Sequence, residues 1–375
     1  MITDYPDDEG VVDGGVQAVS KYLVKAMAQT GDVHVDVISF RYGATKSETI
    51  RADGYTRHIL PGGRFGAITG YWQDQRSLNR LLKSISPDIV HSQGVGHDGT
   101  VAARSGYPVV TTIHGIFAEE AKHIESFHRR TRHRLLDMLS EYHCIRHAKH
   151  TILISPYVGE HWGDKLSGQK YMIANPVAPG FFDVSRNEEN GRILFAGRLY
   201  KLKGVADLIS AVATVSGTMN AKLVLAGSLD DSDYVEFLKA ETRRLGVEKR
   251  VEFAGILGEE RLLDELSRAA VLVLPSYQET APMVIQEAMA SGVPVIATRV
   301  GGTSYQIDDS ESGFLVEAGD VQALADRLLR LFSDDQLRID MGRAARERAS
   351  DDYRAINVAK ATIDVYRKIL ARNQS

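Results

Sequence analysis

Two carboxylates, Glu279 and Glu287, stand eight residues apart in the stretch QETAPMVIQEAMASGVPVIAT, residues 278–298. Pro282, a residue suited to a first helical turn, lies between them, and the apolar-periodic run holding Glu287 ends at Gly292. The pattern predicts one acid in a loop and the other on a helix. At 1.5 Å rise per residue, eight positions cover roughly 12 Å, about the length of a ligand with a polar group at each end. The middle of such a ligand would meet the helix N-terminus, which favours anions. Upstream, FAGRLYKLKG places Arg198 and Lys203 on a loop leading into a helix that begins near Val205. A guanidinium fork beside a compact ammonium suits a diphosphate, whose charge must be neutralised as it leaves. Carboxylates only accept hydrogen bonds, so the two acids suit a diol. An isolated pair of basic residues on a loop is more often solvated surface. Here the basic pair and the acids fall at the same edge of one expected sheet.

Those positions need a scaffold. Short β-branched runs alternate with amphipathic stretches, the pattern of parallel sheets covered by helices, so the fold class is α/β. Expected strands in the first half are VHVDVIS (33–39), DIVHS (88–92), VVTTI (109–113) and TILIS (151–155), with a helix after the glycines of GGVQAVSKYLVKAMAQ. The opening MIT is very short for the first strand of a doubly wound sheet. NPVAPGFFDVSRNEENG, residues 175–191, has no apolar period and reads as a linker. A second series follows, RILFAG, KLVLAG, VEFAG, VLVLPS and PVIAT, in which most strands end in a small residue. In open α/β sheets ligands bind beyond the carboxyl ends of the strands.

Bulk properties narrow the function. At 375 residues the chain is comfortable for two domains. Charged residues make up 25% and the formal charge is −4, so no global field recruits nucleic acid. The one cysteine, Cys144, cannot form an intrachain disulfide, and MITDYPDDEG is acidic where a secretory signal would be basic and then apolar. A cytoplasmic setting fits. Runs such as AAVLVL fall short of the ~20 apolar residues that span a bilayer, so any membrane contact would be peripheral.

The series GGVQ, GRLYKLKG, PSYQETAPMVIQEAMASGVPVIAT and VGGTSYQIDDSESGFLVEAGD resembles glycosyltransferase family 4, retaining enzymes of the GT-B fold that use nucleotide sugars. The likeness covers nearly the whole chain and is strongest over residues 191–320. It implies two doubly wound Rossmann-like domains facing across a cleft: an acceptor-side domain over residues 1–180, a nucleotide-sugar-binding domain over 181–350, and a terminal helix, from about Asp351 to Leu370, returning to the first. By the same resemblance Arg198 and Lys203 hold the diphosphate of a UDP- or GDP-sugar, Glu287 accepts from the ribose hydroxyls, and Glu279 reads a sugar hydroxyl. Thr280, Ala281 and Met283 line the donor, and Gly14 and Gly15 lie against its phosphates. His114, ending VVTTIHG, matches the family's histidine near the reacting sugar. Without the resemblance, a strand-end histidine satisfied by its neighbours is equally good, and a Gly-Gly before a helix is more often only a turn. No cofactor or metal is implied beyond the donor, and the acceptor is a hydroxyl of a glycan, a lipid-linked saccharide or a small molecule, as in polysaccharide biosynthesis.

Two departures touch the pocket. The family usually has Pro-Phe-Gly-Leu after its first glutamate, where this chain has Thr280, Ala281, Pro282 and Met283, so one backbone donor is missing at Pro282. Ser304 and Tyr305 replace the usual Pro-Glu. A non-catalytic nucleotide-sugar-binding protein of the same fold, or a GT-B epimerase or phosphorylase, therefore stays open as an alternative. All twelve histidines lie at or before His161. Ile124, Phe127, Thr131, Leu135, Met138, Tyr142 and Ile145 form one stripe of an amphipathic helix, with Lys122, Arg129 and His133 opposite. That basic face suits anionic lipid, although a solvated face is the commoner meaning of such a pattern.

Overall fold

A computed structural model describes residues 1–7, 11, 12, 14–63, 70–116, 119 and 140–373. The chain divides into two compact units. The first comprises Met1–Asp7, Val16–Pro176 and Ala355–Ser375, and the second comprises Asp8–Gly15 and Val177–Arg354.

In the first unit the strands are β1 (Val35–Tyr42), β2 (Glu48–Ala52), β3 (Tyr55–Gly62), β4 (Val90–Ser92), β5 (Val109–Ile113), β6 (His150–Leu153) and β7 (Gln169–Met172). They run in the orders β1-β3-β2 and β4-β5-β6-β7, parallel except for β2 against β3. Ile2 joins the two sets, making parallel bridges to Ile38 and to Ser92. The short opening segment therefore does hold the place of a first strand. Alternate residues of β1 face opposite ways. Val35 and Val37 pack in a core with Leu23 and Met27 of the helix Gly15–Thr30 and with Ile363, Tyr366 and Ile369 of the helix Ala355–Asn373. Ile38 packs in a second core with Leu60 of β3 and with Leu78 and Leu82 of the helix Trp72–Ile85. Burying each such aliphatic side chain contributes roughly 2 kcal/mol relative to exposure.

The second unit holds β8 (Arg192–Ala196), β9 (Lys222–Ala226), β10 (Val251–Gly255), β11 (Val271–Leu274), β12 (Val295–Thr298) and β13 (Gly313–Val316). Their order is β10-β9-β8-β11-β12-β13, all parallel. Every residue of β11 and β12 is buried, which explains why these strands read as unbroken apolar runs rather than as alternations. Aspartates cap several helices: Asp320 accepts from Ala323 N–H at 2.9 Å and Asp334 from Leu337 N–H at 2.9 Å.

Some sequence expectations shift. Pro282 is the N-cap of the helix Met283–Ala290 rather than part of its first turn, so half of the Glu279-to-Glu287 interval is loop and the 12 Å helical rise does not apply. The helix ends as expected: Gly292 has φ +70°, its N–H bonds to Met289 O, and Val293 N–H bonds to Ala288 O. The stretch read as a linker is packed instead. It contains the short helix Pro179–Phe182, with Phe181 and Phe182 buried, and Arg186 donates to the carbonyl of Ala269 at 2.6 Å. The terminal region is two helices, Asp335–Asp352 and Ala355–Asn373, broken at Tyr353 and Arg354. There Val177 N–H donates to Tyr353 O at 2.7 Å, and Val177 makes a parallel bridge to Arg354. Lys122, Arg129 and His133 lie outside the described residues. Among the described residues no helix is long and apolar enough to cross a membrane.

Candidate active site

The strand order of the second unit reverses between β8 and β11, and in an open α/β sheet the crevice beyond the carboxyl ends at such a reversal is where ligands bind. Arg198 and Lys203 follow β8, and Glu279 follows β11, so the sequence-predicted cations and the first acid meet at that point. Gly204 makes the meeting possible. Its φ is +65°, and a Cβ there would lie 2.0 Å from the carbonyl oxygen of Pro275. Tyr277 N–H donates to Leu202 O at 2.7 Å, tying the two loops together. Lys203 Nζ then donates to Glu279 Oε1 at 2.5 Å, and the hydroxyl of fully buried Ser276 donates to the same oxygen at 2.7 Å. The Thr298 hydroxyl donates to Ser276 O, the Thr303 hydroxyl donates to Thr298 O at 2.6 Å, and Gly302 N–H donates to Glu279 O at 3.1 Å. These bonds fix the Glu279 loop against the ends of β11 and β12.

Charge is concentrated here. Burial works against the Lys203 ammonium, but the Glu279 carboxylate outweighs it and holds the lysine above its ordinary range. Arg198 is exposed, with its guanidinium 5.5 Å from the centre of the Tyr200 ring, and Lys203 Nζ lies 5.9 Å from the same ring. Among the described residues no carboxylate pairs with Arg198. Met283 opens an eight-residue helix whose N-cap, Pro282, contributes no side-chain hydrogen bond, so first-turn N–H groups are left for other acceptors. Ala281, Met283 and Glu287 are buried, Glu287 being 5% exposed on that helix, and Thr280 is half-buried beside them. Gly14 and Gly15 group with this second unit, and Gly14 has φ +110°, which favours glycine.

Two family models match the chain in tandem, "Glycosyltransferase Family 4" over residues 13–179 and "Glycosyl transferases group 1" over residues 180–348. The chain belongs to glycosyltransferase family 4. An uncharacterized glycosyltransferase of Methanocaldococcus jannaschii is 27% identical over 98% of this chain and 97% of its own length. A D-inositol 3-phosphate glycosyltransferase of Streptomyces avermitilis is 39% identical, over 46% of this chain and 39% of its own length. Among solved structures, sucrose-phosphate synthase from Thermosynechococcus elongatus superposes with a TM-score of 0.85 at 21% identity, covering 99% of this chain and 98% of that one. Anabaena HepE, in complex with UDP-glucose, superposes with a TM-score of 0.74 at 18% identity, covering 98% of each chain. The fold of this family-4 chain is therefore α/β of the GT-B type.

His114 sits in the first unit, at the end of β5, apart in sequence and in unit from the other site residues of this family-4 protein. Its Nε2 lies 2.6 Å from Gln93 Oε1 at the end of β4, and burial pushes its pKa down to about 4. It is a neutral hydrogen-bonding group, not a resident cation. Sequence reasoning missed Ser276, Tyr200 and Gln93. The first two lie inside quoted motifs, where a polar residue in the loop after a strand was the available signal. Gln93 ends DIVHSQ without a distinguishing pattern.

Proposed function

We propose that this chain is a retaining hexosyltransferase that moves a sugar from a UDP- or GDP-sugar to a hydroxyl acceptor in the cytoplasm, with no metal or further cofactor. The observation that carries this reading is the convergence of Arg198, Lys203 and Glu279 at the β8–β11 reversal, beside the start of the helix that holds Glu287. A lysine ammonium has three N–H groups, so Lys203 can keep Glu279 as a partner while donating to a diphosphate. Arg198 supplies a second cation to the same group, and first-turn N–H groups of the Met283–Ala290 helix add their dipole. Glu279 and Glu287 accept from sugar and ribose hydroxyls, and His114 takes a hydrogen-bonding role beside the reacting sugar.

In the reaction the bond from the anomeric carbon to the diphosphate oxygen breaks, and a new bond to the acceptor oxygen forms on the same face. The acceptor's proton passes to the departing diphosphate oxygen. No protein nucleophile is needed, and stabilising the charge that develops on the diphosphate is the main catalytic contribution. A thermal-shift panel of UDP-, GDP- and ADP-sugars tests the first half, because a ligand held only by the folded chain raises the melting temperature by several degrees at ~100 times its Kd. Incubation of the best donor with hydroxyl acceptors, with the product anomer read by NMR, tests the second. No shift from any donor, or a product of inverted configuration, defeats the proposal.

A further inference from the structure

A line of hydrogen bonds crosses the first unit from His114 to the terminal helix. Gln93 Oε1 lies 2.6 Å from His114 Nε2, while Gln93 Nε2 lies 3.3 Å from His91 Nε2 and 3.6 Å from Met1 Sδ. His91 Nε2 also lies 2.7 Å from Thr112 Oγ1, and His91 Nδ1 lies 2.6 Å from the Tyr366 hydroxyl. His91, Gln93, Thr112 and Tyr366 are all buried. Both imidazoles are neutral: burial, the amino terminus and His114 hold His91 well below its usual range, and burial lowers His114.

The pattern of donors then follows from the orientation of the Gln93 amide, oxygen toward His114 and nitrogen toward His91. A neutral imidazole carries one N–H and one lone pair, and an amide nitrogen can only donate. His91 Nε2 must therefore accept from Gln93, so the His91 proton sits on Nδ1 and is donated to Tyr366. The amide hydrogens of Gln93 are committed to His91 and Met1, its oxygen faces His114, and His114 must carry its proton on Nε2. The lone pair of His114 is left on Nδ1.

We propose that Gln93 is a positioning residue that fixes His114 with its proton on Nε2 and Nδ1 free to accept from a substrate hydroxyl, and that Tyr366 sets this orientation through His91. This rests on the role proposed above for His114. Without the Tyr366 hydroxyl, a buried His91 Nδ1–H loses its acceptor, and the proton is better placed on Nε2, where Thr112 accepts it. Gln93 must then turn its oxygen toward His91 and its NH2 toward His114, which accepts on Nε2 and carries its proton on Nδ1. Losing one hydroxyl on the terminal helix thus turns over Gln93 at the end of β4 and reverses the tautomer of His114 at the end of β5.

Two-bond proton–nitrogen spectra of the full chain labelled with 15N-histidine, assigned by single histidine substitutions, read this directly. The parent is expected to show Nε2–H at His114 and Nδ1–H at His91. Tyr366→Phe is expected to reverse both and to lower kcat, counted per donor-binding site so that unfolded protein does not enter, about tenfold while the donor KM stays within twofold. Gln93→Leu cuts the connection, so adding Tyr366→Phe to it leaves His114 where Gln93→Leu alone put it. An unchanged His114 tautomer in folded Tyr366→Phe, Nδ1–H at His114 in the parent, or a reversed tautomer with unchanged kcat overturns the inference. If Tyr366→Phe does not fold, Gln93→Leu decides: a mixture of tautomers at His114 supports the relay and an undisturbed Nε2–H overturns it. A parent chain that transfers no sugar defeats the functional reading, whereas the spectra of the resting protein judge the relay separately.

Discussion

Gly204 and Pro275 come so close that a Cβ on the glycine would sit 2.0 Å from the proline's carbonyl oxygen. That approach presses the turn after β8 onto the loop after β11, and it lets Lys203 on one reach Glu279 on the other at 2.5 Å. The geometry of the candidate diphosphate site therefore depends on a residue that carries no functional group.

Gly204→Ala should destabilise the chain by about 3 kcal/mol, because the new methyl group meets a backbone oxygen and φ +65° is strained for alanine. Urea unfolding measures it, and donor affinity should fall in the same variant. A loss under about 0.5 kcal/mol would mean that the loops separate without cost.

Arg198→Ala should lower kcat on the order of a hundredfold, the effect of removing one preorganised donor from a developing anion. The side chain is exposed, so the melting temperature should hardly move. A rate within twofold of the parent counts against the assignment of this residue to the leaving group.

Lys203→Met strands Glu279, 9% exposed, with its cationic partner gone, at an expected cost of about 3 kcal/mol. Since Lys203 is held above its ordinary range in the folded chain, its contribution is complete below the unfolded lysine value and is lost as pH rises through the higher folded value. Stability of the parent should accordingly decline in strong alkali with a component that Lys203→Met lacks. Denaturant titrations from pH 8 to pH 12 would show it.

Acid should weaken the first unit by a different route. His91 and His114 are both lowered from 6.5, the latter to about 4, so the unfolded chain takes up their protons before the folded one does. Stability is fully present above about 6.5 and falls as pH drops toward the folded values. His114→Gln should flatten part of that slope. An identical slope in parent and variant would show that His114 is not held neutral by the fold.

How much of this was legible beforehand depended on how local the cause was. β5 coincides with the run VVTTI, and the helix Val205–Val215 starts where the glycine of GRLYKLKG predicts, because periodicity and a turn residue act within a few positions. The hairpin of β2 and β3 escaped even though Asp53-Gly54, a common hairpin dipeptide, stands at its turn, since the flanking strands are mixed in polarity and β2 is largely exposed. Residues 175–191 looked like a linker by composition, yet Phe181 and Phe182 bury themselves, which two aromatic residues without a period could not announce. The cations and acids were identifiable as types. Their direct pairing was not, because Lys203 and Glu279 lie 76 residues apart and meet only through sheet order.

The backbone departs from the first unit after Pro176 and re-enters it at Ala355, and Val177 and Arg354 lie bridged side by side at the crossing. The Val177–Arg354 part of the second unit is thus a continuous insertion with adjoining ends, to which only Asp8–Gly15 is added from elsewhere in the chain. During synthesis it can finish folding on the ribosome. The first unit must wait for the last segment to emerge, since Ile363, Tyr366 and Ile369 fill its core, so a premature stop codon near the end of the message would harm the half that was translated earliest.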